Sequence, residues 1–229
     1  MNKLSVSLTK KERILGWIYY LIQLLALPFL LSLVNFLIGN PLNESLLNFL
    51  YFLVNFLCVL LIFFRFFKKN SKNAITAPLR CLWYAGAGIA FFWGLSYAVQ
   101  ILIVMVSPDF FNVNDASIND MAQENYGLIA LGTVLLVPLA EEALYRGLIF
   151  GQFYNRKPVA AYLISCCVFA SVHVVGYIGS YEPLQLALCF LQYLPAGIAL
   201  GWAYTKSDTI WSPILMHMAI NAIGIASMR

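Results

Sequence analysis

Charge is what this chain of 229 residues most lacks. Only 10% of its residues are charged, against about 25% in an ordinary soluble domain. It carries 14 Lys and Arg, 10 Asp and Glu and 2 His, while 62% of its residues are apolar and its mean hydropathy is +0.80. That shortage excludes a soluble enzyme, a disordered chain and a nucleic-acid binder with a wet basic face, so no nucleic-acid partner is expected. Cysteine is scarce as well. Cys58, Cys81, Cys166, Cys167 and Cys189 all fall in apolar segments, and no spacing resembles a zinc site or a CxxC redox pair. Packing or lipid contact is the expected role for them. The chain also lacks internal repeats, and it lacks the alternation of a membrane barrel.

What it has instead is seven apolar segments, about Ile14–Ile38, Leu46–Phe67, Leu79–Val106, Tyr126–Gly151, Val159–Gly176, Leu184–Thr205 and Ile210–Met228. Each is long enough to cross a hydrocarbon core of about 30 Å, the fifth only just. The reading is an all-α, polytopic transmembrane bundle of about seven spans in the cell membrane. Residues 1–125 supply three spans and an acidic outer loop, Ser107–Asn125, and residues 126–229 supply four. The first segment is too long for a cleaved signal peptide and no cleavage site follows it. Pro28 and Pro138 fall inside spans and predict kinks.

Apart from Arg146 and Arg229, the basic residues fall in four places: Lys3, Lys10, Lys11 and Arg13; Arg65, Lys68, Lys69, Lys72 and Arg80; Arg156 and Lys157; and Lys206. Acidic residues mostly lie between them, at Glu44, at Asp109, Asp115, Asp120 and Glu124, and at Glu182. By the positive-inside rule this places the N-terminus inside and Arg229 outside.

Ionisable residues inside spans are costly and point to function. The fourth segment reads Leu139-Ala140-Glu141-Glu142-Ala143-Leu144-Tyr145-Arg146. Glu142 and Arg146 are four apart, on one helix face, and can pair. Glu141 points about 100° away and needs a partner from elsewhere. Both histidines lie in spans: His173 on the fifth, four residues after Phe169, and His217 on the seventh, four before Asn221. Counted from the inner loops at about 1.5 Å per residue, Glu141 and His173 lie at one depth. By the same count His217 is about 9 Å short of it. Tilt must close that gap, or His217 acts below the other two.

A carboxylate beside an imidazole can activate water for attack on a carbonyl. Asn221 and a suitably protonated His217 can stabilise the oxyanion that forms. This inventory suits amide hydrolysis in a membrane cavity. A metal centre is the competing form, with Glu141, His173 and His217 as a two-histidine, one-carboxylate set for a divalent ion such as zinc, although no HExxH is present. Ser171 and Ser212 carry no GxSxG signature and are expected as helix–helix contacts. A proton pathway or transporter would use similar groups, but no inverted repeat is present.

Taken in order, Glu141-Glu142-x-x-x-Arg146, Phe169-x-x-x-His173 and His217-x-x-x-Asn221 resemble the three signature motifs of the CPBP family. That family comprises the type II CAAX prenyl endopeptidases and the bacteriocin-processing and immunity (Abi) proteins. The resemblance covers about Tyr126–Ile225, and no motif position departs from the pattern. It implies an intramembrane endopeptidase with its catalytic core in 126–229. Glu141 would activate water, His173 would assist, and His217 and Asn221 would form the oxyanion hole. Glu142 and Arg146 would support the site, Arg146 also as a ligand for a substrate carboxylate, and Phe169 would shape the cavity. The family has been described both as metalloproteases and as glutamate proteases; the oxyanion role favours the second, with no cofactor required. The substrate would be a membrane-associated peptide or protein, prenylated or bacteriocin-like. The alternative is a non-catalytic scaffold or self-immunity protein.

Overall fold

The computed structural model describes residues 3–39 and 41–228. The orientation expected for Arg229 therefore lies outside the described residues. Among the described residues there are eight helices: α1 (Lys10–Leu37), α2 (Glu44–Ile62), α3 (Phe64–Thr76), α4 (Pro78–Val106), α5 (Val113–Tyr154), α6 (Pro158–Val172), α7 (Pro183–Ser207) and α8 (Trp211–Ala226). No strand is present among them beyond one isolated bridge, Ile178 to Tyr181. Six of the helical stretches, the fifth running Pro158–Tyr177, are long and apolar enough to cross a membrane. Many large apolar side chains point outward, among them Leu25, Phe36, Leu61, Trp83 and Met105. Water would make such a surface insoluble, and lipid makes it the ordinary exterior. The chain is thus a multi-pass membrane protein with an all-α bundle.

The seventh apolar segment is the exception. α8 has 16 residues, or about 24 Å of helix, which is short of a full crossing. Its start is sunk in the protein. Ser207, Thr209 and Ile210 in the turn before it are buried. The Thr209 hydroxyl donates to the Asn70 carbonyl at 3.0 Å, and the Ile210 N–H donates to the Asn70 side chain at 2.9 Å. Asp208 makes that turn possible by adopting left-handed backbone, φ 56°, a conformation Asp tolerates better than most residues.

Asn70 belongs to α3, which the sequence reading treats as the end of a span and a basic loop. The chain breaks at Phe63 and resumes as a helix whose buried residues are Phe66, Phe67 and Asn70. The Phe66 N–H, left open by the new helix start, is taken by the carboxylate of Glu12 at 2.8 Å. Glu12 also closes a capping box with Thr9 at the start of α1. One buried carboxylate so ties α1 to α3.

A second difference lies at Ser107–Asn125. From Val113 onward this acidic stretch is helix, the first part of α5. Asn112 caps it by accepting the N–H groups of Asn114 and Asp115 at 2.9 and 3.1 Å. Met121, Ala122 and Ile129 then pack with Ile225 of α8. Non-helical backbone at Asn125 kinks α5 before its membrane part, and the Asn125 side chain caps the continuation by accepting the Leu128 N–H at 3.2 Å.

Pro28 and Pro138 each follow a widened, π-type turn, Ile22–Ala26 and Gly132–Leu136. A proline removes one N–H and crowds the carbonyl four residues back, and a wider turn relieves both. A third π-type stretch, Ala143–Phe150, is buried throughout. Every cysteine is unpaired, with Cys81, Cys166 and Cys189 buried and Cys167 exposed. Ser212 is buried between helices, but Ser171 is exposed rather than packed.

Candidate active site

The membrane part of α5 packs between α2, α6 and α8. Glu141 and Glu142 sit on its one ordinary turn between two widened ones. π-type turns recur at functional sites because the extra residue per turn re-aims the side chains that follow. Glu142 and Arg146 are both 0% exposed, with Arg146 Nε 3.2 Å from Glu142 Oε2. That contact is an ion pair without the alignment of a hydrogen bond. The other end of the guanidinium meets the carbonyls of Ala196 and Gly197 on α7 at 3.5 and 3.4 Å. Its face lies 4.7 Å from the centre of the Phe169 ring on α6, a cation–π contact.

The second oxygen of Glu142, Oε1, is 2.9 Å from Nδ1 of His217 on α8. A carboxylate paired with a guanidinium accepts hydrogen bonds, so His217 donates from Nδ1. Its Nε2 is left toward Glu141, 3.9 Å from Oε2 of that residue. Glu141 Oε2 is buried and has no hydrogen-bond partner. Arg146, Glu142 and His217 thus form a line that fixes the imidazole and aims its free nitrogen at Glu141.

His217 and Glu141 are therefore close, and the depth mismatch counted along the sequence does not arise. The count starts at the α7–α8 turn, and that turn is buried beneath α3 rather than at the surface.

His173 lies at the C-terminal cap of α6. Its Nδ1 is 2.7 Å from the Phe169 carbonyl. A carbonyl only accepts, so Nδ1 donates and Nε2 is the open nitrogen. The ring stacks on Tyr193 of α7 at 4.2 Å and 25°. Asn221, one turn after His217, donates to the Thr133 carbonyl on α5 at 2.9 Å. An amide has two N–H donors, so a second is left.

Glu141, Phe169, His173, His217 and Asn221 all line one cavity of about 650 Å³, within the usual range for ligand pockets. Glu142 and Arg146 are behind its wall. Arg146, fully buried and in contact with Glu142, two carbonyls and an aromatic face, does not line the cavity, so this arrangement offers no support for its role as a carboxylate ligand. A metal ion would need the third ligand, His173, to join Glu141 and His217. Among the described residues no three His, Cys, Asp or Glu side chains converge in that way. The donor set as arranged does not fit a metal.

Sequence reasoning missed several residues of the cavity wall. Tyr145, Ser96, Gln100, Gln192 and Tyr193 line it, as do Asn112, Asn114 and Asp115 from the start of α5. Gln100 and Gln192 carry a readable signal, since both are polar residues within apolar spans. Asp115 carries none, because the surrounding segment reads as a solvated loop.

A multi-pass helical bundle with a polar cavity of Glu, His and Asn is the class these features define. Residues 123–223 match the family model described as type II CAAX prenyl endopeptidase Rce1-like. Over 213 residues the chain is 25% identical to "Putative membrane peptidase YdiL" of Bacillus subtilis (strain 168), covering 88% of this chain and 81% of that one. Over 145 residues it is 28% identical to "UPF0177 protein YxdF" of Lactococcus lactis subsp. lactis (strain IL1403), covering 62% and 75%. No solved structure gives a significant match.

Proposed function

We propose that the chain is a glutamate-dependent intramembrane endopeptidase that hydrolyses a peptide bond of a membrane-associated or lipidated peptide without a metal cofactor. The observation that carries this reading is Glu141, with a buried carboxylate oxygen that has no hydrogen-bond partner, 3.9 Å from His217 in the wall of a cavity among apolar helices. In the proposed reaction Glu141 takes a proton from water, and the hydroxide adds to the scissile carbonyl. The oxyanion accepts from the second N–H of Asn221. His217 Nε2 accepts when the ring is neutral. It becomes a second oxyanion donor when the proton taken by Glu141 passes to it. His173 helps hold the water or the amide through its open Nε2. Collapse of the intermediate expels the amine, which leaves with the transferred proton. Arg146 and Glu142 act through His217 by fixing which nitrogen carries its proton, and Phe169 by packing between the two imidazoles and the guanidinium. In this reading residues 126–229 are the catalytic core and residues 1–125 enclose it.

The same reading puts the N-terminus inside. Leu4 exchanges hydrogen bonds with Asn155, and Ser5 and Asn73 both meet Asp208. The N-terminal, α3, 156/157 and 206 basic clusters therefore share one face of the bundle, and positive charge favours the inner side.

The test is cleavage of quenched peptides by the purified protein in detergent. Glu141→Gln keeps the shape of the side chain and removes the base. The expected result is a fall in kcat of about 10²–10⁴-fold with the fold intact. Full activity in this variant, or activity that tracks bound zinc in the wild type, sinks the proposal.

A further inference from the structure

The cavity has a second pole whose charge bears on what it accepts. Besides Glu141, its wall includes Asn112, Asn114, Asp115, Gln192 and Tyr193. These side chains order one another. The Tyr193 hydroxyl lies 3.1 Å from Asp115 Oδ1, Asn114 donates to Tyr193 at 3.0 Å, and Asn112 donates to Gln192 at 2.7 Å. Tyr193 also stacks on His173, so the two poles meet through that ring pair. Asp115 is exposed while lining the cavity, so the cavity reaches the surface there. That surface carries the acidic segment 109–124, at the opposite end of the bundle from the basic clusters.

The charge inventory of the wall is one-sided. It contains two carboxylates, Glu141 and Asp115, and among the described residues no Lys or Arg. Arg146 is behind the wall and paired with Glu142. A free C-terminal carboxylate entering this cavity would meet two carboxylates and no Lys or Arg among the described lining residues, an arrangement that costs affinity. An ammonium or guanidinium would find the Asp115 carboxylate with polar groups fixed around it.

We propose that the Asp115 pole is a subsite for a cationic group, so that the protein takes peptides through a basic side chain or N-terminal amine, from the acidic face, rather than through a terminal carboxylate. This rests on the endopeptidase reading and adds its substrate class. Asp115 binds and positions the peptide and takes no part in the bond cleavage.

The experiment uses full-length protein in detergent and three quenched peptides that differ only in one residue near the scissile bond: Lys, Gln or Glu. The expected order in kcat/KM is Lys over Gln over Glu, with a Lys-to-Gln ratio of about tenfold that resides in KM. In Asp115→Asn that ratio falls to about one, and in Asp115→Lys the order reverses. A purely structural role for Asp115, in the first turn of α5, would lower thermal stability and leave the ratio unchanged; that result overturns the proposal, as does wild type without charge preference. Fluorescence anisotropy of labelled, non-quenched versions on the Glu141→Gln background separates this inference from the hydrolysis it rests on. If wild type cleaves nothing, but the Lys peptide binds more tightly than the Glu peptide and Asp115→Asn abolishes the difference, the subsite holds and the endopeptidase reading fails. Binding without charge dependence, or no binding, overturns the subsite.

Discussion

Replacing Arg146 with methionine isolates the buried line that holds His217. The side chain keeps its apolar stem, so packing against Phe169 and α7 is largely retained, while the charge is lost. Glu142 then remains 0% exposed with no cation beside it. Breaking a buried pair from one side costs about 3–5 kcal/mol, and the lost contact over Phe169 adds about 0.5–2 kcal/mol. Glu142→Gln alone leaves the guanidinium unpaired at a cost of the same order, about 3–5 kcal/mol. In the double variant neither position of the pair buries a charge. The amide oxygen introduced by Glu142→Gln can still accept from His217 Nδ1, so the ring stays aimed. The double variant is therefore expected to be more stable than Arg146→Met alone, with a coupling energy of about 2–3 kcal/mol. Reversible unfolding in mixed detergent and SDS micelles measures it. If the two single costs simply add, the pair is not the unit described and the reasoning fails. Cleavage gives an independent reading, since the double variant should retain more activity than Arg146→Met.

The remaining predictions concern packing and the oxyanion. Gly197→Ala puts a Cβ at 3.0 Å from Cys166 Sγ and 3.1 Å from its Cα; since backbone cannot move aside cheaply, α6 and α7 should separate, at a cost of about 1–3 kcal/mol in the same unfolding assay. Unchanged stability there would mean that the α6–α7 approach is looser than the structure has it. Asn221→Ala removes the proposed oxyanion donor and should lower kcat by about 10²–10³-fold with a smaller effect on KM; an effect confined to KM would reassign Asn221 to substrate binding.

The membrane class and the helical architecture are legible from composition, because a chain this poor in charge has no other way to cover its surface. The Glu142–Arg146 pair is legible too, since four-residue spacing on a helix fixes the contact before any tertiary structure forms. So is the need of Glu141 for a partner on another helix. Nothing in the residue pattern marks α3 as a separate helix, because the break at Phe63 leaves the apolar run unbroken. The helix at 113–125 is hidden as well, since its polar composition reads as loop while its apolar residues find α8.

Composition and helical spacing settle which side chains must be withdrawn from lipid: two glutamates, an arginine, two histidines and an asparagine on three helices. How they divide is settled by tertiary packing. It buried the α7–α8 turn beneath Asn70 and so raised His217 to Glu141. It also turned Arg146 away from the cavity to meet Glu142 and α7, and it brought Asp115 in from a segment that sequence alone leaves in solvent. Helical spacing fixes contacts within about one turn, whereas depth, facing and wall charge depend on where each helix starts and on what its neighbours bury.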